Sequence, residues 1–331
     1  MSNHRIKLFA LGEDRRLTVG VAERLGVDVA PHELRVFADG ECKVRPLSNV
    51  RGREVFVLAS LAATETASVN DALCRLLIFV GALKDAAAAR VTAVVPYLCY
   101  SRKDRKTKPR DPVSTRYVAQ LLEAVGVSQL VTVDVHNPAA FQNAFRIQTE
   151  TLDAARVFAA PVAAACQTDP VTVLSPDLGG VHRAETFRRA LAAATPGPVG
   201  FGFMEKWRSE DVVWGDVLAA DVVGKTVVIY DDMISTGVTL ARAAAKCKER
   251  GAHRVLAAAA HGVFTPGADK ALASPALDRV FVTNTVPLPA REGQAFNGKL
   301  EVVDAAPLVA HAIESILDGS SISAMTVPRD P

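Results

Sequence analysis

Two adjacent acids, Asp231 and Asp232, follow a β-branched apolar run and precede a turn of small hydroxyl residues: Thr226-Val-Val-Ile-Tyr-Asp231-Asp232-Met-Ile-Ser235-Thr236-Gly237-Val238-Thr239. Ionised carboxylates only accept hydrogen bonds, so they suit sugar hydroxyls or a hydrated metal and not phosphate. Ser235, Thr236 and Thr239 can donate, and Gly237 lets the backbone come close to a ligand. Residues 240–250, mostly Ala, Lys, Arg and Glu and stopped by Gly251, read as a helix. The free N–H groups and dipole at its start favour an anion beside the turn. One site for a diol and a phosphate points to a pentose phosphate. The competing reading is a plain strand-to-helix turn with capping residues; the paired acids weigh against it.

Other groups with chemical potential sit at the ends of further apolar runs. After the run 91–95, six Lys or Arg fall within nine positions: Arg102, Lys103, Arg105, Lys106, Lys108 and Arg110. Charge runs are usually solvated loops, but this one lies at the edge where open α/β sheets bind ligands, so a polyphosphate site is at least as good a reading. Asp134-Val-His136 ends the next run, and an acid and a histidine there are candidates for metal or phosphate contact. Ser175-Pro-Asp177-Leu-Gly179-Gly180 leads into a helix over 181–191, with glycines that allow close backbone approach. Phe37-Ala-Asp39-Gly40-Glu41 reads as a hairpin turn. The sharper alternative makes Phe37 a platform for a base whose amino group donates to Asp39 and Glu41. Lys206-Trp-Arg208 lies in a polar stretch, 205–211, expected to be a loop; by themselves these cations read as solvated.

Short apolar runs alternating with helical stretches place these groups on an α/β scaffold with mostly parallel sheets. The block 54–95 can be laid on 226–259: Glu54-Val-Phe-Val-Leu on Thr226-Val-Val-Ile-Tyr, and Arg90-Val-Thr-Ala-Val on Arg254-Val-Leu-Ala-Ala, with a helix between in each. This self-similarity implies an internal duplication and two similar domains, 1–150 and 151–331. The closing helix, 308–317, is free to pack back on the first domain.

At 331 residues the chain exceeds one ordinary domain. A net charge of +2 gives no basis for a nucleic-acid or membrane-surface partner. Five scattered cysteines without a CxxC motif argue against a disulfide framework or zinc site and for free thiols in a reducing compartment. With no apolar leader or span, the expected location is cytoplasmic.

The turn 231–239 resembles the PRPP-binding signature of type I phosphoribosyltransferases and PRPP synthetases, PRPP being 5-phosphoribosyl 1-diphosphate. Taken in order, Phe37–Glu41, Asn49–Gly52, Pro96–Arg105, Asp134–His136, Ser175–Gly180, Lys206–Arg208 and Asp231–Thr239 are similar to the ribose-phosphate diphosphokinase family over nearly the whole chain. Three positions depart from its pattern: Lys103 where Gln is common, Ser235 where Asp or Ala is common, and Val238 where Gly is common. The resemblance implies two tandem phosphoribosyltransferase-like domains, an ATP side in the first and a ribose 5-phosphate side in the second. It implies ATP contacts at Phe37, Asp39, Gly40, Glu41, Arg102 and Lys103, the hairpin residues reaching a neighbouring subunit's site in a homo-oligomer, a hexamer in this family. It implies Mg2+ as cofactor, served by His136 and Asp177 with Asp134 in support. Lys206 and Arg208 are implied as mobile-loop catalytic cations. Arg208, Asp231, Asp232, Ser235, Thr236, Gly237, Val238 and Thr239 are implied for ribose 5-phosphate. The alternatives are a non-catalytic regulatory relative and a PRPP-consuming phosphoribosyltransferase. The latter leaves the basic segment and first-half acids unexplained.

Overall fold

A computed structural model describes residues 6–12, 15–209, 212–288, 296 and 298–322, with the backbone alone described at 206–209 and 212–216. These residues form two compact units. One comprises the chain up to Leu152, with Thr285–Pro287 and Ala306–Ile322; the other comprises Asp153–Asn284 and Leu288–Ala305.

The first unit runs β1 (Ile6–Ala10), α1 (Arg16–Leu25), β2 (His32–Val36), β3 (Cys42–Pro46), β4 (Glu54–Leu58), α2 (Val69–Asp85), β5 (Arg90–Val94), α3 (Ser114–Ala124), β6 (Gln129–Val133), α4 (Pro138–Ala144) and β7 (Gln148–Leu152). Five strands pair in the order β1-β4-β5-β6-β7, all parallel, while β2 and β3 form a separate antiparallel hairpin. Parallel pairing needs crossovers, and α2 and α3 supply them between β4, β5 and β6. With helices covering the sheet, its strands read as continuous apolar runs such as Val55-Phe-Val-Leu58. The helix α2 buries Leu73, Leu76, Phe79, Val80 and Leu83, a one-sided stripe at helical spacing. Each such side chain contributes about 1.5–3 kcal/mol by leaving water.

The second unit runs α5 (Ala155–Cys166), β8 (Val171–Ser175), α6 (Val181–Ala194), β9 (Val199–Ser209), β10 (Val212–Ala219), β11 (Thr226–Ile234), α7 (Val238–Glu249), β12 (Arg254–Gly262), α8 (Ala268–Leu272), β13 (Arg279–Thr283) and β14 (Leu300–Val303). Its sheet is ordered β10-β9-β8-β11-β12-β13-β14, parallel except for the β9–β10 hairpin. Strands β8-β11-β12-β13-β14 repeat the plan of β1-β4-β5-β6-β7. The register repeats too: Glu54 faces Arg90 in one sheet, and Thr226 faces Arg254 in the other. A last helix, α9 (Ala306–Asp318), belongs to the first unit and packs on α1, where a Cβ at Gly20 would lie 3.0 Å from that of Ala306.

The stretch expected to be a polar loop, 205–211, is instead largely hairpin: β9 continues through Ser209, and Lys206 and Arg208 pair with Asp216 and Val213 of β10. Pairing along an edge outweighs the low strand propensity of Glu and Lys. Residues 210 and 211 lie outside the described residues. Among the described residues, no helix is long and apolar enough to cross a membrane.

Candidate active site

Strand β11 is paired with β8 only through Ile229, and continues along β12 to Ile234. The acids therefore stand at the carboxyl end of the sheet, where α/β folds open toward ligands. Asp232 is 3% exposed and Asp231 half-buried. Asp231 Oδ1 accepts the Asp232 N–H at 2.8 Å. Burial, and then the charge of Asp232, push the Asp231 carboxyl well above the ordinary carboxylate range. Opposing this is Arg183, in the first turn of α6, whose Nη1 lies 3.2 Å from Asp231 Oδ1 and 3.4 Å from Asp232 Oδ1.

The turn beyond β11 is three residues long, Ser235-Thr236-Gly237. Gly237 has φ 71°, and a Cβ there would lie 2.8 Å from Leu272 Cγ, so conformation and space both require glycine. Val238 opens α7 with ordinary φ, its side chain 56% exposed. The left-handed step falls on Gly237, and the β-branched residue is unstrained. As the cap of α7, Gly237 brings no side-chain acceptor to the first helical amides. Ser235 is braced by Thr265, whose N–H donates to Ser235 O at 3.1 Å with the hydroxyls 3.4 Å apart. Thr236 is exposed and Thr239 half-buried.

Beside this turn in sequence plan is that of Asp177, after β8. Its Oδ1 accepts the Gly180 N–H at 3.0 Å, and its carbonyl accepts from Ser175 Oγ at 2.6 Å. The half-buried carboxylate caps a single 3-10 turn, Leu178–Gly180.

In the first unit the basic segment folds on itself. Lys103 Nζ pairs with Asp111 and lies 3.0 Å from Thr107 Oγ1. Asp111 Oδ2 also accepts from Thr107 N, Thr107 Oγ1 and Lys108 N at 3.0, 2.8 and 3.0 Å. Lys103 first, then these bonds, hold the Asp111 carboxyl far below its usual range. Asp104 Oδ2 accepts from Asn137 Nδ2 at 2.6 Å, tying the basic loop to the turn that carries Asp134 and His136. Arg102 and His136 are exposed, and Asp134 is half-buried. Tyr100, Arg110 and Asp134 have φ of 59°, 68° and 39°. Non-glycine residues in that region are strained, and such strain collects at ligand sites. At the hairpin tip, Glu41 N–H donates to Asp39 Oδ1 at 3.1 Å, Gly40 has φ 93°, and Phe37 is 39% exposed under the guanidinium of Arg35.

Residues 231–239, with Asp177, thus fall in the second unit, and 37–41, 102–103, 134 and 136 in the first. Lys206 and Arg208 lie on β9, their side chains outside the described residues. Sequence reasoning missed Arg183, Asp111 and Asn137. Their partners are 48, 8 and 33 residues away in the chain, and no local pattern marks them.

Two family models match the chain: the N-terminal domain of ribose phosphate pyrophosphokinase over residues 6–126, and the phosphoribosyl synthetase-associated domain over 216–326. Ribose-phosphate pyrophosphokinases of Nostoc sp. and Haemophilus influenzae are each 37% identical to it, covering 98% and 97% of this chain and 94% and 98% of their own lengths. That of Aquifex aeolicus is 35% identical over 97% of this chain and 98% of its own. The crystal structure of phosphoribosylpyrophosphate synthetase from Mycobacterium smegmatis matches with a TM-score of 0.86 at 35% identity, covering 96% of this chain and 100% of that one. A shared sequence from end to end, on a shared fold, means that this chain belongs to the ribose-phosphate pyrophosphokinase family.

Proposed function

We propose that this protein transfers the β,γ-diphosphoryl group of ATP to the anomeric hydroxyl of ribose 5-phosphate, giving PRPP and AMP. The observation that carries this reading is the acid pair Asp231–Asp232, one short turn away from a helix start capped only by glycine. A diol and a phosphate each find their complement in that single step. Asp231 and Asp232 accept from the ribose hydroxyls, and Ser235 to Thr239 offer hydroxyls and amides to the 5-phosphate. The first unit takes ATP, through Arg102, Lys103 and the tip of the β2–β3 hairpin. The exposed Phe37, with Asp39 and Glu41, would complete the site of a neighbouring copy in a homo-oligomer, a hexamer in this reading. All five cysteines carry free thiols, which suits the cytoplasm.

In the reaction the anomeric oxygen bonds to the β-phosphorus as the bond from that phosphorus to the α,β-bridging oxygen breaks. AMP leaves, and the hydroxyl proton is released to solvent. Such transfer asks the protein mainly for alignment and charge neutralisation. Lys206 and Arg208 supply cations toward the transferring group, where they matter most in the transition state.

The donor set fits Mg2+. That ion takes one or two carboxylates, water and substrate phosphates rather than an all-protein cage. Among the described residues, no group of three or more His, Cys, Asp or Glu forms such a cage. In the first unit the part-exposed Asp134 with His136, and in the second the part-exposed Asp177, would each meet Mg2+, which would offset phosphate charge.

The test is AMP release from ATP, with and without ribose 5-phosphate and Mg2+. AMP should appear only when both are present. Lys206→Ala should lower kcat about a hundred- to a thousand-fold with little change in KM. No AMP release even with ATP, ribose 5-phosphate and Mg2+ together would turn the assignment to a non-catalytic regulatory relative.

A further inference from the structure

One cation is built into the acid edge of β11, and the packing of α6 puts it there. Phe187 of α6 stacks on Tyr230, with centroids 4.3 Å apart and planes 8° from parallel, and Phe158 of α5 meets the same ring edge-on at 6.0 Å. All three rings are fully buried. The stack fixes where α6 crosses β11. Arg183 lies four residues before Phe187 and so on the same helix face. It comes down on the residues that follow Tyr230, with Nη1 3.2 Å from Asp231 Oδ1 and 3.4 Å from Asp232 Oδ1. The approach passes Gly180, where a Cβ would lie 3.7 Å from Nη1 and only 2.9 Å from Ser175 Oγ. Asp153 Oδ1 accepts the Ala155 N–H at 2.8 Å just ahead of α5; burial pushes its carboxyl up, opposed by that bond and then by Arg156 and Arg183.

Adjacent carboxylates with little access to water repel each other, and a counter-charge is the cheapest relief. Both contacts come from one nitrogen, Nη1, whose two N–H groups can serve both carboxylates at once while the rigid guanidinium plane fixes their direction. We propose that Arg183 is a positioning residue of the ribose site: it bridges Asp231 and Asp232, offsets their mutual repulsion and fixes their orientation for accepting sugar hydroxyls. This rests on the reading of the β11 edge as the ribose 5-phosphate site, and adds a residue that acts through the acids.

Full-length wild type, Arg183→Gln and Arg183→Lys are compared by AMP release and by calorimetric titration with ribose 5-phosphate alone. Arg183→Gln is expected to raise the KM for ribose 5-phosphate about ten-fold or more while the KM for ATP stays within about two-fold. Arg183→Lys keeps the charge without the fork and should recover part of the loss. An unchanged KM for ribose 5-phosphate, equal rises in both KM values, or a Lys variant no better than Gln would each overturn the inference. If the Gln variant does not fold, the Lys variant decides. A ribose 5-phosphate KM raised about three-fold or more, with that for ATP unchanged, supports the bridge, and wild-type constants overturn it. A wild type that binds no ribose 5-phosphate removes the proposed function and the inference together. Binding that Arg183→Gln retains at wild-type strength overturns the inference alone.

Discussion

The steps from β4 into α2 and from β11 into α7 begin alike and end differently. Both strands are buried, parallel and in equivalent register with the next strand, β5 or β12. After β4 the chain takes ten residues, 59–68, to reach α2; after β11 it takes three, 235–237, to reach α7. The long connection buries Ala59, Leu61, Ala62 and Ala67, and closes with a capping box. Ser68 Oγ accepts the Asp71 N–H at 3.2 Å, and Asp71 Oδ2 accepts the Ser68 N–H at 2.8 Å. There a side chain and a negative charge already serve the helix start. The short connection ends in a glycine, which supplies neither. A duplicated scaffold can thus carry one helix start used for stability and another left for an anion. The first unit concentrates cationic side chains after β5, while the step from β11 leaves its first helical amides without a side-chain cap.

The sharpest way to break this contrast is Gly237→Ala. A left-handed non-glycine residue costs roughly 1–2 kcal/mol. The new methyl also meets Leu272, with a Cβ–Cγ separation of 2.8 Å before relaxation. The turn should move, and kcat/KM for ribose 5-phosphate should fall about ten-fold or more, with the KM for ATP near wild type. Normal steady-state kinetics would remove the turn from the site. In the other unit, Ser68→Ala should act on stability alone. Loss of the cap is expected to cost roughly 0.5–2 kcal/mol, read as a lower Tm, with both KM values unchanged. A kinetic defect specific to ribose 5-phosphate would show that the two helix starts are not separate in function. The smallest effect is expected for Val238→Gly. Since Val238 already has ordinary helical φ, glycine relieves no strain, and the KM for ribose 5-phosphate should change less than about two-fold. A marked tightening would mean that the valine side chain obstructs the phosphate.

The β11 step was legible because each part is local: a β-branched run, two acids, hydroxyls, a glycine and a helix-forming stretch follow one another. The duplication was legible because alignment of 54–58 with 226–230 and of 90–94 with 254–258 preserves strand register. Other elements were not. The helix α5 contains Pro161, which removes one hydrogen bond from its interior, and it holds because Phe158, Val162 and Cys166 are buried. The chain through Lys206 and Arg208 looked like a loop because its polar residues lack strand propensity, yet β10 pairs with it. The resemblance alone implied Lys103 for ATP, and no local pattern in the basic run marked that its ammonium is joined to Asp111 of the same loop.

By itself the amino-acid order determined the α/β class, the repeated strand–helix plan and the residues able to meet a diol, a phosphate and a divalent cation. These follow from side-chain type and from periodicity over a few residues. Only the tertiary structure decided that Arg183 bridges the acids, that Asn137 ties Asp104 to the turn of His136, and that Gly237 faces Leu272. Each of these depends on where a helix or loop lands after distant aromatic and aliphatic side chains have packed, and a lone arginine on a helix carries no mark of that in its neighbours along the chain.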